Sequence, residues 1–512
     1  MVKLSNYNTQ TNFRRYITMF ERSSGVLLHA TSLPGKFGIG TLGKEAYQFV
    51  DFLIKSNQKL WQTYPLGPTG YGDSPYQCFS AFAGNPLLIS LETVVEDGLL
   101  TNSDLETNEK FDESKVDFGK IINFKFPILK KAFDNFSNGS FELEKIKFET
   151  FVKKNSNWLD DFSLFMSLKE HFGGKPWIEW DNDIKLREEN ALRDYKNKLK
   201  NDIEFQNFIQ YLFFKQWKKL KAYANQNYIK IVGDIPIFVA FDSADAWSNP
   251  DIFLFDEERK PVRVAGVPPD YFSATGQLWG NPLYNWDKLK ETNFAWWIDR
   301  IKANLELSDI IRIDHFRGFA EYWAVPYGDK TAINGEWWPA PGKELFEAIE
   351  ASLGSLPIIA EDLGLITPDV EELRDHFNLP GMKILQFAFD SSEENNYIPH
   401  SYNKNCVVYT GTHDNDTVAG WFEKASKDDK KYALDYFNSN GEDICWDFIR
   451  GAWASTAVIA ITPLQDILRL GSFARINTPG VAAGNWQWRF KAEDITNEHI
   501  SKLKHLTTIY GR

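Results

Sequence analysis

The chain has 512 residues, and 57 Lys+Arg against 70 Asp+Glu leave a net charge of −13, a balance without the basic face that a nucleic-acid backbone needs. Apolar residues at 43% and charged ones at 25% exclude a disordered chain and allow a full core. Aromatic residues make up 15%, enough for a large core with rings left over as stacking platforms for a ring-shaped ligand.

Residues 1–25 are polar, and Arg14 and Arg15 are followed by no apolar segment, which predicts no signal peptide. The longest uncharged apolar stretch, 451–465, is interrupted by Pro463 and falls short of the roughly 20 residues of a membrane span. Cys78, Cys406 and Cys445 lie far apart with no C-x-x-C spacing. They suit a reducing, cytoplasmic location and offer no metal site.

Strand-like runs follow in order: GVLLHA (25–30), KLWQTY (59–64), IKIVGDIP (229–236), DIIRID (309–314), PIIAE (357–361), KILQFAF (383–389), CVVYTG (406–411) and AVIAIT (457–462). Eight parallel-type strands separated by helix-like stretches predict the α/β class and a (β/α)8 TIM barrel, one catalytic unit over 1–512. A doubly wound sheet is the rival, but no G-x-G-x-x-G turn follows an early strand, so no dinucleotide cofactor is expected.

Two intervals exceed a plain βα unit. Residues 92–200 are charged and rich in Asn and Lys, and predict a helical insertion. They lead into an amphipathic helix near 208–224, where Phe208, Leu212, Trp217 and Leu220 repeat at helical spacing. The second insertion, 241–297, carries AGVPPDYFSATGQLWGNP (265–282). Its glycines and prolines predict an irregular aromatic loop, of the kind that serves as an active-site lid.

Several predicted strands end in a carboxylate: Asp234, Asp314, Glu361 with Asp362, and, just past the seventh, Asp414 with Asp416. In a barrel these ends converge on one face. Helix capping is the plain alternative and is even with function for Asp362, Asp369 and Asp416. It explains Asp314, Glu361 and Asp414 less well, because Arg312, His315, Arg317 and His413 lie beside them. Arg312, two residues before Asp314, points to the same face and would keep that carboxylate ionised. Three acids, no metal-type His spacing and abundant aromatics point to glycosyl chemistry, in which two carboxyls act as nucleophile and acid/base.

RIDHFRGF (312–319), AEDLG (360–364) and GTHDNDT (411–417) resemble the motifs of the amylomaltase or disproportionating-enzyme family, glycoside hydrolase family 77. The likeness runs through SSGVLLHATSLPG (23–35), PLGPTGYGDSPYQ (65–77), GDIPIFVAFDSADAW (233–247), PPDYFSATGQLWGNP (268–282), LPGMKILQFAF (379–389) and NTPGVAAGNWQWR (477–489). By that resemblance Asp314 is the nucleophile, Glu361 the general acid/base and Asp414 the transition-state stabiliser. Arg312, His315 and His413 would line the subsite of the sugar that becomes covalently attached. Ser74, Tyr76 and Asp234 match donor-side contacts, and Tyr271, Phe272, Gln277 and Trp279 match the lid over the acceptor. The resemblance implies maltooligosaccharides and other α-1,4-glucans as substrates, no metal or other cofactor, and no C-terminal β-sandwich. Ala274 and Phe473 depart from the family pattern, which bears on acceptor preference and leaves the three acids untouched. A hydrolase of the same clan and a non-catalytic glucan-binding protein are the alternative readings. The lid argues against the first and the intact acids against the second.

Overall fold

The structure is a computed structural model that describes residues 20–269, 273–390 and 395–512. Twelve strands occur among them: β1 (Ser23–Leu27), β2 (Leu60–Gln62), β3 (Lys230–Pro236), β4 (Arg263–Val267), β5 (Gln277–Pro282), β6 (Ile310–Asp314), β7 (Glu321–Pro326), β8 (Glu336–Pro339), β9 (Ile358–Ala360), β10 (Gly381–Ile384), β11 (Cys406–Tyr409) and β12 (Ile459–Pro463).

Eight of these form one sheet in the order β10-β11-β12-β1-β2-β3-β6-β9, every neighbouring pair parallel. The Ala360 N–H donates to the Pro380 carbonyl at 2.9 Å, bringing the two outer strands together in a nearly closed barrel. All eight predicted strands are present, shifted by a few residues. The largest shift is in the sixth, which starts at Gly381 and gives way at Leu385–Phe389 to a 3-10 turn. The sequence there is as apolar as a strand, but Leu385, Ala388 and Phe389 bury themselves at near-helical spacing where the chain leaves the rim.

Between β2 and β3 a loop-rich stretch to residue 117 is followed by a mostly helical one, with long helices at Phe118–Asn138, Glu142–Lys154, Ser156–His171 and Lys200–Gln226. In the last of these Phe208, Leu212, Trp217 and Leu220 are all buried. Full burial contributes about 1.5–3 kcal/mol for each Phe or Leu. The helix also grips the loop that follows β2. The Gln210 side chain donates to the Gly84 carbonyl and accepts from its N–H, both at 2.8 Å. Gln216 does the same with Ser90, accepting at 2.7 Å and donating at 3.0 Å. Phe213 packs so close to Gly84 that any Cβ there would lie 1.9 Å from its ring.

The interval 265–282 is not an irregular loop. Its ends are β4 and β5, paired antiparallel in a second sheet of order β5-β4-β7-β8. The partner strands β7 and β8 come from the connection after β6, so nothing local in 265–282 announces the pairing. Glycine and proline within the strands hide it further, since Gly266 and Pro282 lie in the ladder itself. The last helix is Asn497–Ile509, and no strand follows β12 among the described residues. No helix among them is long and apolar enough to cross a membrane.

Because Gln210 satisfies both polar groups of a buried glycine, Gln210→Ala should destabilise the fold by about 2–4 kcal/mol, the cost of stranding two buried backbone groups. The urea unfolding midpoint measures this, and an unchanged midpoint would show that the loop after β2 is held by other contacts.

Candidate active site

Parallel barrel strands deliver their last side chains to one rim. Asp234 on β3 and Arg312 on β6 face each other in register and are both buried. The Arg312 Nη1 lies 2.8 and 2.7 Å from the two Asp234 oxygens and 3.0 Å from Asp314 Oδ1. One guanidinium therefore serves two carboxylates. Burial alone would lower its pKa, but Asp234 and Asp314 hold it well above the ordinary arginine value.

After Asp314 the chain turns sharply. His315 sits in the left-handed region at φ 54°, which is costly for a residue with a Cβ. That turn aims the His315 N–H at Glu361 Oε2, 2.6 Å away. Glu361 Oε1 accepts from the Leu363 N–H at 3.0 Å. Burial raises the Glu361 pKa, and the charge of Asp314 adds to that rise against Arg312 and the two N–H groups. Burial also raises Asp314, where the adjacent Arg312 opposes it most strongly. Of the two carboxyls, only Asp314 has the guanidinium within ion-pair distance.

Asp414 follows β11 and is half exposed. Its Oδ2 lies 3.4 Å from His413 Nε2, and its Oδ1 accepts from Asn477 Nδ2 at 2.6 Å. Tyr76 donates to Asp234 Oδ2 at 3.0 Å and stacks on the His413 ring, centroids 4.8 Å apart. Burial and Asp234 push the Tyr76 hydroxyl well above its usual pKa, so it remains a neutral donor. Ser74 accepts from the Tyr76 N–H at 3.2 Å, shaping that turn. The Trp279 ring, on β5, meets His315 edge-on at 4.8 Å, and its indole donates to Gln277 Oε1 at 3.3 Å. Burial pushes His315 down to about 3, leaving it neutral.

The structure thus brings Asp234, Arg312, Asp314, His315 and Glu361 together, and Tyr76, His413 and Asp414 form a second linked group joined to the first through Asp234. Gln277 and Trp279 join through His315. Tyr271 and Phe272 lie outside the described residues. The capping alternative does not describe Asp362, which accepts from the Met382 N–H and pairs with Arg374, each at 2.6 Å. Asp416 pairs with Lys424 at 2.6 Å and accepts from Ser472 at 2.8 Å. Asp369 stands in the first turn of Pro368–His376, whose cap position is Thr367.

Four further residues escaped the sequence reading: Tyr64, Trp486, Arg475 and Asn477. Tyr64 packs edge-on against His413 at 5.0 Å, and Trp486 lies 5.6 Å from His413 and 5.8 Å from Tyr76. Trp486 and Asn477 stand within the 477–489 motif, yet neither residue type signals a role there. Among the described residues no cluster of His, Cys, Asp and Glu could hold a metal.

A family model described as 4-alpha-glucanotransferase matches residues 28–496. A 4-alpha-glucanotransferase of Synechocystis is 54% identical over 497 residues, covering 96% of this chain and 98% of the relative. One from Thermus thermophilus is 48% identical over 491 residues, covering 94% and 97%. Among solved structures, the amylomaltase from Streptococcus agalactiae in complex with acarbose superposes with a TM-score of 0.93 at 45% identity, covering 96% of this chain and all of that one. A match spanning nearly the whole barrel at this identity settles the affiliation: the chain belongs to the 4-alpha-glucanotransferase family, glycoside hydrolase family 77.

Proposed function

We propose that this enzyme moves a segment of α-1,4-glucan from one maltodextrin to the 4-hydroxyl of another glucan or of glucose, by a retaining route through a covalent glycosyl-enzyme. The observation that carries the roles is the unequal surroundings of two neighbouring acids. Asp314 has the Arg312 guanidinium in contact at 3.0 Å, whereas Glu361 is raised by burial and the charge of Asp314, opposed by Arg312 without an ion-pair contact and by two backbone N–H groups. One is thereby suited to act as an anion and the other as an acid.

In the first step Glu361 gives its proton to the glycosidic oxygen. The C1–O bond breaks, the shortened glucan leaves with its new hydroxyl, and an Asp314 oxygen bonds to C1. In the second step the acceptor 4-hydroxyl attacks C1 and gives its proton to the Glu361 carboxylate, and the C1–Asp314 bond breaks. Two inversions preserve the α configuration. Asp414 faces the positive charge that develops on the ring between these states. Tyr76, Asp234, Arg312, His315 and His413 hold the reacting sugar, with Ser74 shaping the donor side.

Transfer must outcompete water for the glycosyl-enzyme, which requires a covered and occupied acceptor site. We assign that cover to the hairpin of β4 and β5, with Trp279 and Gln277 on its β5 strand, and the family resemblance adds Tyr271 and Phe272 to it. The barrel with these additions acts as one catalytic unit, with maltooligosaccharides as its partners. Three free cysteines accord with a cytoplasmic site of action.

Asp314→Asn should cut transferase activity by roughly a thousandfold or more, since it removes the nucleophile while keeping the shape. A variant retaining a tenth of the activity would overturn the assignment. Glu361→Gln should be as damaging with maltotriose, whose leaving group needs a proton, but α-maltosyl fluoride should still load the enzyme. Peptide mass spectrometry should then find the sugar on Asp314. Because Glu361 titrates above the ordinary carboxylate range, the parent's maltotriose rate should fall on the alkaline side as that proton is lost. The fluoride loading rate of Glu361→Gln should lack this limb, and its persistence would place the acid elsewhere. Trp279→Ala should raise the ratio of new reducing ends to glucose released from maltotriose by roughly two- to tenfold, the worth of one stacking contact. An unchanged ratio with both rates lowered equally would remove Trp279 from the water-excluding cover.

A further inference from the structure

Asp414 presents a mechanical problem. Its carboxylate is half exposed, and an exposed aspartate samples several rotamers. A group that stabilises charge only in the transition state contributes fully when its orientation is already set. What sets it is the chain after β12. Asn477 Nδ2 donates to Asp414 Oδ1 at 2.6 Å, opposite the His413 side of the carboxylate. Arg475 donates to the Asp414 carbonyl oxygen through Nη2 and to the Asn477 carbonyl through Nε at 2.7 Å. One guanidinium thus fixes the backbone of both residues that the amide joins.

The segment bearing these two residues is itself braced. Asn485 accepts from the Thr478 N–H at 3.0 Å and donates to the Val481 carbonyl at 2.8 Å, and the Trp486 N–H donates to Ile476 at 2.7 Å. At its far side the Ala482 carbonyl would lie 3.9 Å from a Cβ placed on Gly72, two residues before Ser74. The loop therefore spans from the Asp414 turn to the donor-side turn of β2.

We infer that Asn477, itself held by Arg475, is a positioning residue that clamps the Asp414 carboxylate in its transition-state orientation. The inference rests on the role of Asp414 given above. Asp414 acts at the charged ring in both half-reactions, whereas Glu361 matters only where a poor leaving group departs or an acceptor hydroxyl attacks. Loss of the clamp should therefore slow loading from α-maltosyl fluoride as well as transfer from maltotriose.

The test is a double-variant cycle on the full chain. Asn477→Ala should lower kcat with both donors by roughly ten- to a hundredfold, the worth of a hydrogen bond to a charged group, with KM and the thermal unfolding midpoint little changed. Asn477→Asp should be worse, since it sets a second anion against the first, and Asn477→Gln should recover part of the loss. In an Asp414→Asn background, Asn477→Ala should cost almost nothing more with the fluoride donor. If it multiplies the loss instead, Asn477 acts on the sugar directly and the inference fails while the role of Asp414 stands. If Asp414→Asn alone leaves kcat intact, the role of Asp414 falls, and the inference with it. Should Asn477→Ala fail to fold, Asn477→Ser permits the same comparison, since its short hydroxyl cannot span to Oδ1.

Discussion

The site depends on one buried guanidinium. Arg312 lies between Asp234 and Asp314 at the end of adjacent strands. A buried arginine needs partners that offset its lost hydration; here these are two carboxylates, and the arginine in turn stabilises their charges. Neither strand end could carry its charge alone. The register of β3 against β6 is therefore fixed electrostatically as well as by the apolar residues below. Tyr76 and His413 attach to this unit through Asp234, so the donor side is set by the same pair.

The eight residues 312–319 reach Asp234, both central acids and the second sheet. Within 312–319, Arg312 holds two acids, Asp314 is one of them, and His315 supplies an N–H to Glu361 and a ring edge to Trp279. Arg317 then donates to the Leu365 carbonyl at 2.6 Å, in the loop after Glu361, and lies 3.9 Å over the Trp337 ring of β8. Phe316 and Phe319 anchor the turn in the core. This explains why a strained φ at His315 persists: packing from both sides over-determines it.

Strands and acids were legible in the sequence because their causes are local. A run such as DIIRID is apolar, β-branched and closed by a charge, and alternation alone placed Arg312 on the face of Asp314. The features that stayed hidden are set by partners distant in sequence. The hairpin 265–282 pairs with strands past residue 320, and its glycine and proline content reads as loop. The 3-10 turn after Ile384 has the composition of a strand. Tyr64 and Trp486 read as ordinary core aromatics, and only the fold places them against His413. Asn477 lies 63 residues from Asp414, and an asparagine in a Gly- and Pro-rich segment reads as a turn.

The second sheet bears on why this barrel favours transfer. A flexible loop could cover the acceptor only by paying ordering entropy at each turnover. Here β4 and β5 are ordered beforehand, backed by β7 and β8 and by the Trp323 indole, which donates to the Ala332 carbonyl at 2.8 Å. Ala332 in turn bonds by its N–H to the Thr275 carbonyl at 3.0 Å, near the hairpin tip. Trp279 is thus presented on a paired strand whose order does not wait for a glucan. If the hairpin is the acceptor cover proposed above, its order before binding lets it exclude water from the glycosyl-enzyme without an ordering cost at each turnover, which favours transfer over hydrolysis.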